Sequence, residues 1–386
     1  MRVLHVSPYF APALQYGGPP ASVLALCQGL QRAGVDVEVV TTTANGGAPL
    51  KPSPPQGEQY EGVPVRYLAQ AFPRRFFGAR LGAALVEALG RADLCHIHGV
   101  WNMPEWSASR LARAHGVPYV LSPRGMLQPQ AIRRGRWRKS AAYRLFERGN
   151  LRSAACLHAA SDQEAGALRD LALGVPITVI PNAVDLDAAR SASHGFRERL
   201  GIPADAFVVL SLERLHRIKR LDLLADAFAK MRETDRSAHL VLAGPDEQGL
   251  GPGLASQLAA HAACVHMPGP VLGPDKWALL READVTVQCS DSESFGLAVA
   301  ESLAVGVPVV ATRTTPWSAL ETRGCGLWVD QRADAIAAAL CDLARDPARR
   351  AAMGARAAAF AGEAFGWDTV AGAMSALYRA TLGERQ

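Results

Sequence analysis

Two glutamates eight positions apart have the spacing that most suggests chemistry in this sequence. Glu293 and Glu301 stand in SDSESFGLAVAESLAVGVPVV (290–310), which follows the apolar run VTVQC. The pattern predicts a helix beginning near Phe295, with Glu293 just before it and Glu301 near its second turn. At about 1.5 Å per helical residue the carboxylates could lie up to roughly 12 Å apart, the span of a nucleoside diphosphate-sugar. Each carboxylate accepts two hydrogen bonds from vicinal hydroxyls, so the pair could bracket such a ligand.

The predicted start of that helix offers a second kind of contact. The backbone N–H groups of Phe295, Gly296 and Leu297 would be first-turn donors, and Gly296 would let a ligand come close. A helix N-terminus of this kind attracts phosphate. A simpler interpretation stays open, in which Glu293 complements the helix dipole and Glu301 faces solvent. The spacing alone favours this simpler interpretation.

Two basic residues follow another predicted strand. In SLERLHRIKRLDLLADAF (211–228), Arg214 and Lys219 fall in the turn between a strand and a helix. Arg supplies a planar fork for phosphate oxygens and Lys a point charge, so together they could stabilise a diphosphate leaving group. Each residue taken singly is typical of a solvated surface. The pair at one turn makes a phosphate site an equal alternative.

The N-terminal half carries weaker signals. Gly17 and Gly18 lie between the first strand and a helix, as in loops that approach a phosphate or a sugar, but without the full GxGxxG pattern. His96 and His98 lie on the same side of a predicted strand. Two histidines at this spacing could bind a metal, but no third ligand of convincing spacing follows, so we expect no zinc site.

Short apolar runs alternate with helical patterns along the whole chain, which predicts parallel sheets covered by helices on both faces. The predicted helices include 20–34, 105–116 and 367–383. The predicted strands are 2–6, 36–41, 65–68, 94–98, 118–122, 155–159, 177–180, 206–212, 238–244, 263–269, 285–290 and 307–312.

The two series of strands predict two doubly wound α/β domains. The Pro- and Asn-containing stretch 180–195 would connect them, which gives an N-terminal domain of residues 1–183 and a C-terminal domain of residues 184–366. Ligands bind at the carboxyl ends of the strands in such sheets. We therefore expect the functional residues in a cleft between the two domains.

The composition is that of a folded protein in a reducing compartment. The 386 residues are 49% hydrophobic and 20% charged, and the seven cysteines are scattered without a CxxC pair. No signal-peptide pattern and no run of eighteen apolar residues is found. The sequence thus predicts a cytoplasmic protein without a membrane span, and gives no indication of nucleic-acid binding.

The charge is unevenly distributed. Residues 124–152 hold nine Arg or Lys and one acid, a net charge of +8, whereas the whole chain carries +5. The simpler interpretation is a solvated helix face. The alternative is a dock for anionic lipid headgroups or a phosphorylated acceptor, to which AFPRRFFGARLGAAL (71–85) would add aromatic residues, although this stretch suits a core edge as well as an interfacial helix. This alternative predicts peripheral association with the inner face of the cytoplasmic membrane.

Taken together, these motifs resemble the retaining glycosyltransferases of the GT4 family, which have the GT-B fold. Glu293-Ser-Phe-Gly-Leu-Ala-Val-Ala-Glu301 resembles the E-x7-E signature, and RLHRIKRLDLLADAF the Arg-Leu-x3-Lys-Gly element. GGPPASVLALCQGL, IPNAVD and WDTVAGAMSALYRATLG resemble the glycine loop, the domain junction and the closing helix that crosses back to the first domain. HIHGVW and PYVLSPRGMLQPQAIRRGRWRK resemble a subgroup associated with polysaccharide and lipopolysaccharide assembly.

The resemblance implies sugar transfer from a UDP- or GDP-sugar to a glycan or lipid-linked acceptor, with retention of configuration and without a metal or other cofactor. Glu293 would contact the donor sugar, Glu301 the ribose, and Gly269 and Val271 the base. By the same resemblance the donor-binding residues would be Gly17, Gly18, Gly269, Val271, Ser294, Phe295, Gly296, Leu297 and Glu301. The catalytic residues would be Arg214, Lys219, Glu293, His98 and Arg124, with Arg214 and Lys219 neutralising the departing diphosphate.

The sequence departs from the family pattern at three positions. Arg124 stands where many members carry a histidine near the reacting sugar, so His98 or Arg124 would take that role. Arg220 and Ala183 replace glycines. Two other functions stay open: a nucleotide-sugar epimerase or glycan phosphorylase on the same fold, and a non-catalytic protein that binds sugar nucleotides or membranes.

Overall fold

The computed structural model describes residues 1–13, 16–46, 49–50, 59–72, 77–78, 80–133 and 136–383. The chain divides into two units, residues 1–183 with 367–386 and residues 184–366. Among the described residues, no helix combines the length and apolar character that crossing a membrane requires.

The first unit is built on an eight-stranded sheet in the order β10-β9-β8-β7-β1-β2-β4-β3, and β5 and β6 form a separate hairpin. All pairs in the large sheet are parallel except β3 with β4. The strands are β1 Arg2–Val6, β2 Asp36–Thr42, β3 Gln59–Tyr60, β4 Val63–Leu68, β5 Gln70–Phe72, β6 Phe77–Gly78, β7 Leu94–His98, β8 Tyr119–Ser122, β9 Cys156–Ala159 and β10 Ile177–Val179.

Helices follow most of these strands, as parallel pairing requires. A π-helical turn, Tyr143–Glu147, lies within residues 124–152, the basic segment. The helices of this part of the chain are α1 Gly18–Arg32, α2 Leu81–Leu89, α3 Met103–Ala114, α4 Pro129–Arg133, α5 Arg136–Ala142, α6 Arg148–Arg152 and α7 Asp162–Arg169.

The second unit holds a six-stranded parallel sheet in the order β13-β12-β11-β14-β15-β16. Its strands are β11 Val208–Leu212, β12 His239–Ala243, β13 Val265–Gly269, β14 Val285–Gln288, β15 Val309–Thr312 and β16 Gly326–Val329. Its helices are α8 Leu186–Arg190, α9 Phe196–Arg199, α10 Leu221–Arg232, α11 Gly251–Gln257, α12 Gly273–Arg281, α13 Leu297–Ala304, α14 Ala319–Thr322, α15 Ala333–Arg345 and α16 Pro347–Ala364, with 3₁₀ turns at Arg217–Lys219 and Ala259–Cys264.

The last helix, α17 Trp367–Thr381, returns to the first unit and packs on α1. Its buried residues Met374 and Tyr378 share a core cluster with Cys27 and Leu30 of α1. A side chain at Gly29 would lie 3.2 Å from the Cβ of Ala371, so the two helices approach closely there. The predicted return of the C-terminal helix to the N-terminal domain, and the two-sheet α/β architecture, are confirmed.

Three local predictions are corrected. The connecting stretch 180–195 contains the short helix α8, because the Asp185 side chain accepts a hydrogen bond from the Ala188 N–H at 2.9 Å and caps it. Strands β3, β5, β6 and β16 were not predicted. Within 71–85, helix α2 begins at Leu81. Both Leu81 and Leu85 are buried, so this part of the segment belongs to the core. Residues 73–76, 79 and 134–135 of the two proposed docking segments lie outside the described residues.

Candidate functional site

The glutamate segment follows β14 but differs from the predicted helix in one respect. Helix α13 begins at Leu297, not near Phe295, and Gly296 precedes it with φ 85°. Phe295, in the loop before the helix, is buried against Trp317 and Phe365. A side chain at position 296 would come within 2.6 Å of the Gln288 Oε1 atom, so only glycine fits this turn. The amides of residues 295 and 296 therefore precede the helix.

Lys219 and Glu293 lie together. The Lys219 Nζ is 2.5 Å from Oε1 of Glu293 and 2.8 Å from Oε1 of Glu213, and all three side chains are largely buried. Burial alone would lower the pKa of Lys219, but the two carboxylates outweigh it and raise that pKa above its ordinary value. Lys219 is therefore a fixed, charged group between two acids.

The sheet explains why residues so distant in sequence meet. Lys219 follows β11, Glu293 follows β14, and these strands are neighbours in the parallel sheet, so their carboxyl ends share an edge. The N–H of Asp291 donates to the carbonyl of Ile218 at 2.8 Å and joins the two segments. Arg220, which replaces a family glycine, has φ 52° and so keeps the left-handed backbone that favours glycine.

Two further ion pairs hold predicted donor-site residues. The Arg214 guanidinium lies 2.6 Å from the Glu247 carboxylate. The Glu301 carboxylate lies 2.6 Å from the Lys276 ammonium, and Glu301 is buried, so the interpretation that it faces solvent is wrong. Glu213, Lys276 and Glu247 were not predicted, because no spacing in the sequence connects them to their partners.

The remaining donor-site predictions lie at different places. Ser294 is half-buried in the loop before α13, whereas Gly269 ends the edge strand β13 and Val271 precedes α12. In the first unit, Gly17 has φ 84° and α1 begins at Gly18. A Cβ atom at Gly18 would meet no described residue within 4 Å.

In the first unit, His98 and Arg124 contact each other within a buried histidine cluster. The cluster contains His5 of β1, His96 and His98 of β7, and His158 of β9. His5 is aligned with His96 across the paired strands, which is why these rings meet. No sequence spacing indicates this contact, because it depends on strand order.

The hydrogen bonds assign the tautomers of all four rings. Arg124 donates to His98 Nδ1 at 3.0 Å, so His98 Nε2 donates to His5 Nδ1 at 2.9 Å. A second series of hydrogen bonds begins at Tyr378, whose hydroxyl oxygen lies 2.6 Å from His96 Nδ1. His96 Nε2 lies 2.6 Å from Ser122 Oγ, which in turn lies 2.6 Å from His158 Nδ1.

This second series of hydrogen bonds ends where His158 Nε2 donates to the carbonyl of Ile180 at 2.8 Å. Because a carbonyl can only accept, His158 carries its proton on Nε2 and accepts at Nδ1. The Ser122 hydroxyl therefore donates to His158 Nδ1 and accepts from His96 Nε2. Burial, together with the Arg124 charge, lowers the pKa of His5 and of His158 to about 3. All four rings are therefore neutral at physiological pH.

The same cluster bears on metal binding. One ring nitrogen from each of His5, His96 and His98 lies within 4.8 Å of the others, so the fold brings a third histidine to the pair that the sequence spacing did not indicate. However, both nitrogens of His96 and of His98 already take part in hydrogen bonds, and the Arg124 guanidinium adjoins His98. A metal would have to displace these contacts.

Arg124 is held by its surroundings. Its backbone has φ 55°, and its guanidinium donates to Oδ1 of Asn182 at 2.8 Å in addition to His98. Glu164 accepts hydrogen bonds from the N–H groups of Gly125 at 2.5 Å and Ala160 at 2.8 Å, which fixes the adjoining loop. Burial lowers the pKa of Arg124, and the nearby Glu164 carboxylate partly offsets that effect.

The basic segment borders an open groove of about 650 Å³. Leu145 and Phe146 line it and are 72% and 48% exposed, unlike most large apolar side chains. Trp106 also lines it, in edge-to-face contact with Phe146 at 5.9 Å between ring centroids and with the Arg110 guanidinium 4.8 Å from its own ring. Exposed arginines therefore flank an exposed apolar surface.

Two family models match the chain. The model described as a glycosyl transferase 4-like domain matches residues 17–183, and the model described as glycosyl transferases group 1 matches residues 194–360. D-inositol 3-phosphate glycosyltransferase of Kineococcus radiotolerans is 33% identical, covering 99% of this chain and 95% of that protein. The protein of the same name from Arthrobacter sp. is also 33% identical, covering 99% and 94%.

Solved structures share the fold. Anabaena Alr3699/HepE in complex with UDP-glucose superposes with a TM-score of 0.76 at 21% identity, covering 98% of this chain and 100% of that chain. WaaG, a glycosyltransferase involved in lipopolysaccharide biosynthesis, superposes with a TM-score of 0.74 at 15% identity, covering 97% and 99%.

Proposed function

This chain belongs to the GT4 family of glycosyltransferases, with the GT-B fold, and from that premise we propose that it transfers a sugar from a UDP- or GDP-sugar to a glycan or lipid-linked acceptor. The observation that carries the proposal is the ion pair between Lys219 and Glu293 at the carboxyl edge of the second sheet. A cation beside a carboxylate supports this proposal, because the phosphates of such a donor would need the one and the sugar hydroxyls the other.

The proposed mechanism assigns each group a task. Glu293 orients the donor sugar through its hydroxyls, and Glu301, held by Lys276, accepts the ribose hydroxyls. Lys219 and Arg214 stabilise the negative charge that develops on the diphosphate as the glycosidic bond breaks. Such stabilisation is greatest in the transition state and so accelerates the reaction. We propose retention of configuration and no metal, on the family resemblance.

The proposed acceptor side is the first unit. Arg124 and His98 form a fixed pair that could hold an acceptor hydroxyl or the reacting sugar, in place of the family histidine. The names of the curated relatives favour a second acceptor class, a phosphorylated inositol. The exposed apolar pair Leu145 and Phe146 beside arginines supports a lipid-linked acceptor at an anionic membrane surface.

A panel of nucleotide-sugars tests the donor assignment. Purified protein is mixed with UDP-glucose, UDP-N-acetylglucosamine and GDP-mannose, and the melting temperature is measured, because a ligand that binds only the folded state raises it. The stabilising donor is then incubated with D-inositol 3-phosphate or with lipid-linked glycan. Sugar transfer supports the proposal, interconversion of the free donor indicates an epimerase, and binding without turnover indicates a non-catalytic protein.

A further inference from the structure

Lys219 carries more negative charge around it than a phosphate-binding lysine needs. Its single positive charge faces the carboxylates of Glu213 and Glu293 at 2.8 and 2.5 Å. With both acids ionised, these three groups sum to one negative charge. The diphosphate of a nucleotide-sugar would bring two more negative charges to the same ammonium. In a buried site this repulsion is costly, so one carboxylate must move or become neutral.

The two carboxylates are not equally able to move. Glu293 lies in the loop between β14 and α13, and its side chain is 14% exposed. Glu213 follows β11 directly, its N–H donates to the carbonyl of Ala243 at 2.9 Å, and its side chain is only 3% exposed. Gln288 Nε2 also donates to Glu213 Oε1 at 2.9 Å. Glu213 is therefore fixed, and its remaining freedom is its charge.

The second carboxylate oxygen of Glu213, Oε2, can take a proton without displacing a hydrogen-bond donor. Among the described residues, Oε2 of Glu213 is buried and has no hydrogen-bond donor. A buried carboxylate oxygen without a donor is unfavourable when ionised, and protonation of that oxygen removes the charge while Oε1 keeps its bonds to Lys219 and Gln288.

We infer that Glu213 takes up one proton from solvent when the diphosphate of a nucleotide-sugar binds to Lys219, so that donor binding is coupled to protonation of a buried positioning residue. This inference rests on the proposed function, because it requires a nucleotide-sugar at Lys219. The proton neutralises Glu213, whose side chain is fixed in place. The Lys219 ammonium is then shared between Glu293 and the phosphate.

The groups around Glu213 are consistent with this assignment. Burial raises its pKa, Lys219 lowers it, and Glu293 raises it. The neighbouring β14 end contributes the neutral Gln288 and Ser290 and the buried thiol of Cys289, whose pKa burial raises. A bound diphosphate would act in the same direction as Glu293 and raise the pKa of Glu213 further.

Calorimetric titration in two buffers of different ionisation enthalpy measures the proton uptake directly. UDP-glucose is the first probe, because both of its phosphates are esterified and do not titrate near neutral pH. If another sugar of the panel stabilises the protein more, that sugar replaces it. We expect uptake of up to about one proton per site, and an affinity that falls by up to about tenfold for each pH unit above the pKa of Glu213 in the free protein.

Two matched variants locate the proton. Glu213→Gln keeps the size and the hydrogen bonds of the side chain but not its charge, so proton uptake should vanish and the affinity at pH 8.5 should exceed that of the wild type. Glu247→Gln removes the carboxylate that pairs with Arg214. Because the side chain of Glu247 is 24% exposed and so partly open to water, this variant should keep the proton uptake.

The outcomes separate the two proposals. If no nucleotide-sugar of the panel binds, the proposed function fails, and the inference fails with it. If a nucleotide-sugar binds to the wild type without proton uptake, only the inference is overturned. The same holds if uptake persists in Glu213→Gln, since the proton would then enter another group. The wild-type titration decides the question even if the variant does not fold.

Discussion

The Lys219 ammonium lies 2.5 Å from the Glu293 carboxylate, although 74 positions separate the two residues along the chain. The contact joins the turn after β11 to the loop after β14 in the second unit. Lys219 is the cation for two buried carboxylates, so its loss should affect folding more than the loss of Glu293.

Substitution of Glu293 by Gln should lower kcat at least about 100-fold, because an ionised contact to the reacting sugar is lost. Folding should change little, since Glu213 still pairs with Lys219. Lys219→Ala should also stop turnover but lower the melting temperature, because two buried carboxylates lose their cation. Steady-state kinetics and thermal melts measure both effects, with the exposed Lys230→Ala on α10 as control. Wild-type rates in Glu293→Gln would remove it from the catalytic set.

Substitution of Arg124 by Gln should lower kcat about 100-fold while leaving the affinity for the nucleotide-sugar within roughly twofold of the wild type. The reason is that Arg124 and His98 belong to the first unit, whereas the proposed donor residues Lys219 and Glu293 belong to the second. Kinetics and calorimetry on the same preparation give the two numbers. Arg113→Gln, on the exposed end of α3, serves as control, and a large loss of donor affinity in Arg124→Gln would contradict this assignment.

The buried histidines His5 and His158 should make the folded protein less stable as the pH falls below about 6.5, whereas Glu105, whose pKa burial raises from 4.5 to about 8, acts in the opposite sense between these two values. The pKa of His5 and of His158 is about 3 in the folded protein, against an ordinary value of 6.5. Between these values the unfolded chain binds more protons than the folded one, so each such histidine lowers the free energy of unfolding by up to about 1.4 kcal/mol per pH unit of acidification.

Thermal melts from pH 8 to pH 5 test this expectation. Below pH 6.5 the wild type should lose melting temperature relative to His158→Gln, because the variant lacks one of the histidines that stay neutral in the folded protein. His194→Gln, at an exposed position, should leave the slope unchanged. Melting temperatures that change in parallel in the wild type and in His158→Gln would show that His158 binds its proton in the folded state.

Binding to vesicles containing phosphatidylglycerol should depend on the groove beside the basic segment. Leu145→Ser with Phe146→Ser should weaken binding, since these exposed side chains would insert among lipid chains. Arg144→Gln and Arg148→Gln should each weaken it roughly fivefold at low salt. Co-sedimentation measures both, and Leu272→Ser, at a residue 61% exposed in the second unit, controls for exposed apolar area. Binding that is unchanged in these variants and insensitive to salt would assign the segment to plain solvated surface.

The sequence by itself determined the architecture and the family. Alternation of β-branched runs with amphipathic stretches is local information, because each strand buries both faces under helices and must be apolar throughout. The strands β1 and β7 therefore have their predicted bounds, and the return of α17 to the first unit followed from the family resemblance. The motif from Glu293 to Glu301 identified the family for the same reason, since its residues are contiguous.

Only the tertiary structure decided which groups face one another. Glu213 meets Lys219 and Glu293 because β11 and β14 are neighbours in the sheet, and His5 meets His96 because β1 and β7 are paired in register. Strand order is set by the packing of the whole sheet, so no spacing within one segment encodes it. The buried pairing of Glu301 with Lys276 and the start of α13 at Leu297 likewise depend on distant side chains. These contacts change the charge and the mobility of groups whose identity the sequence already showed.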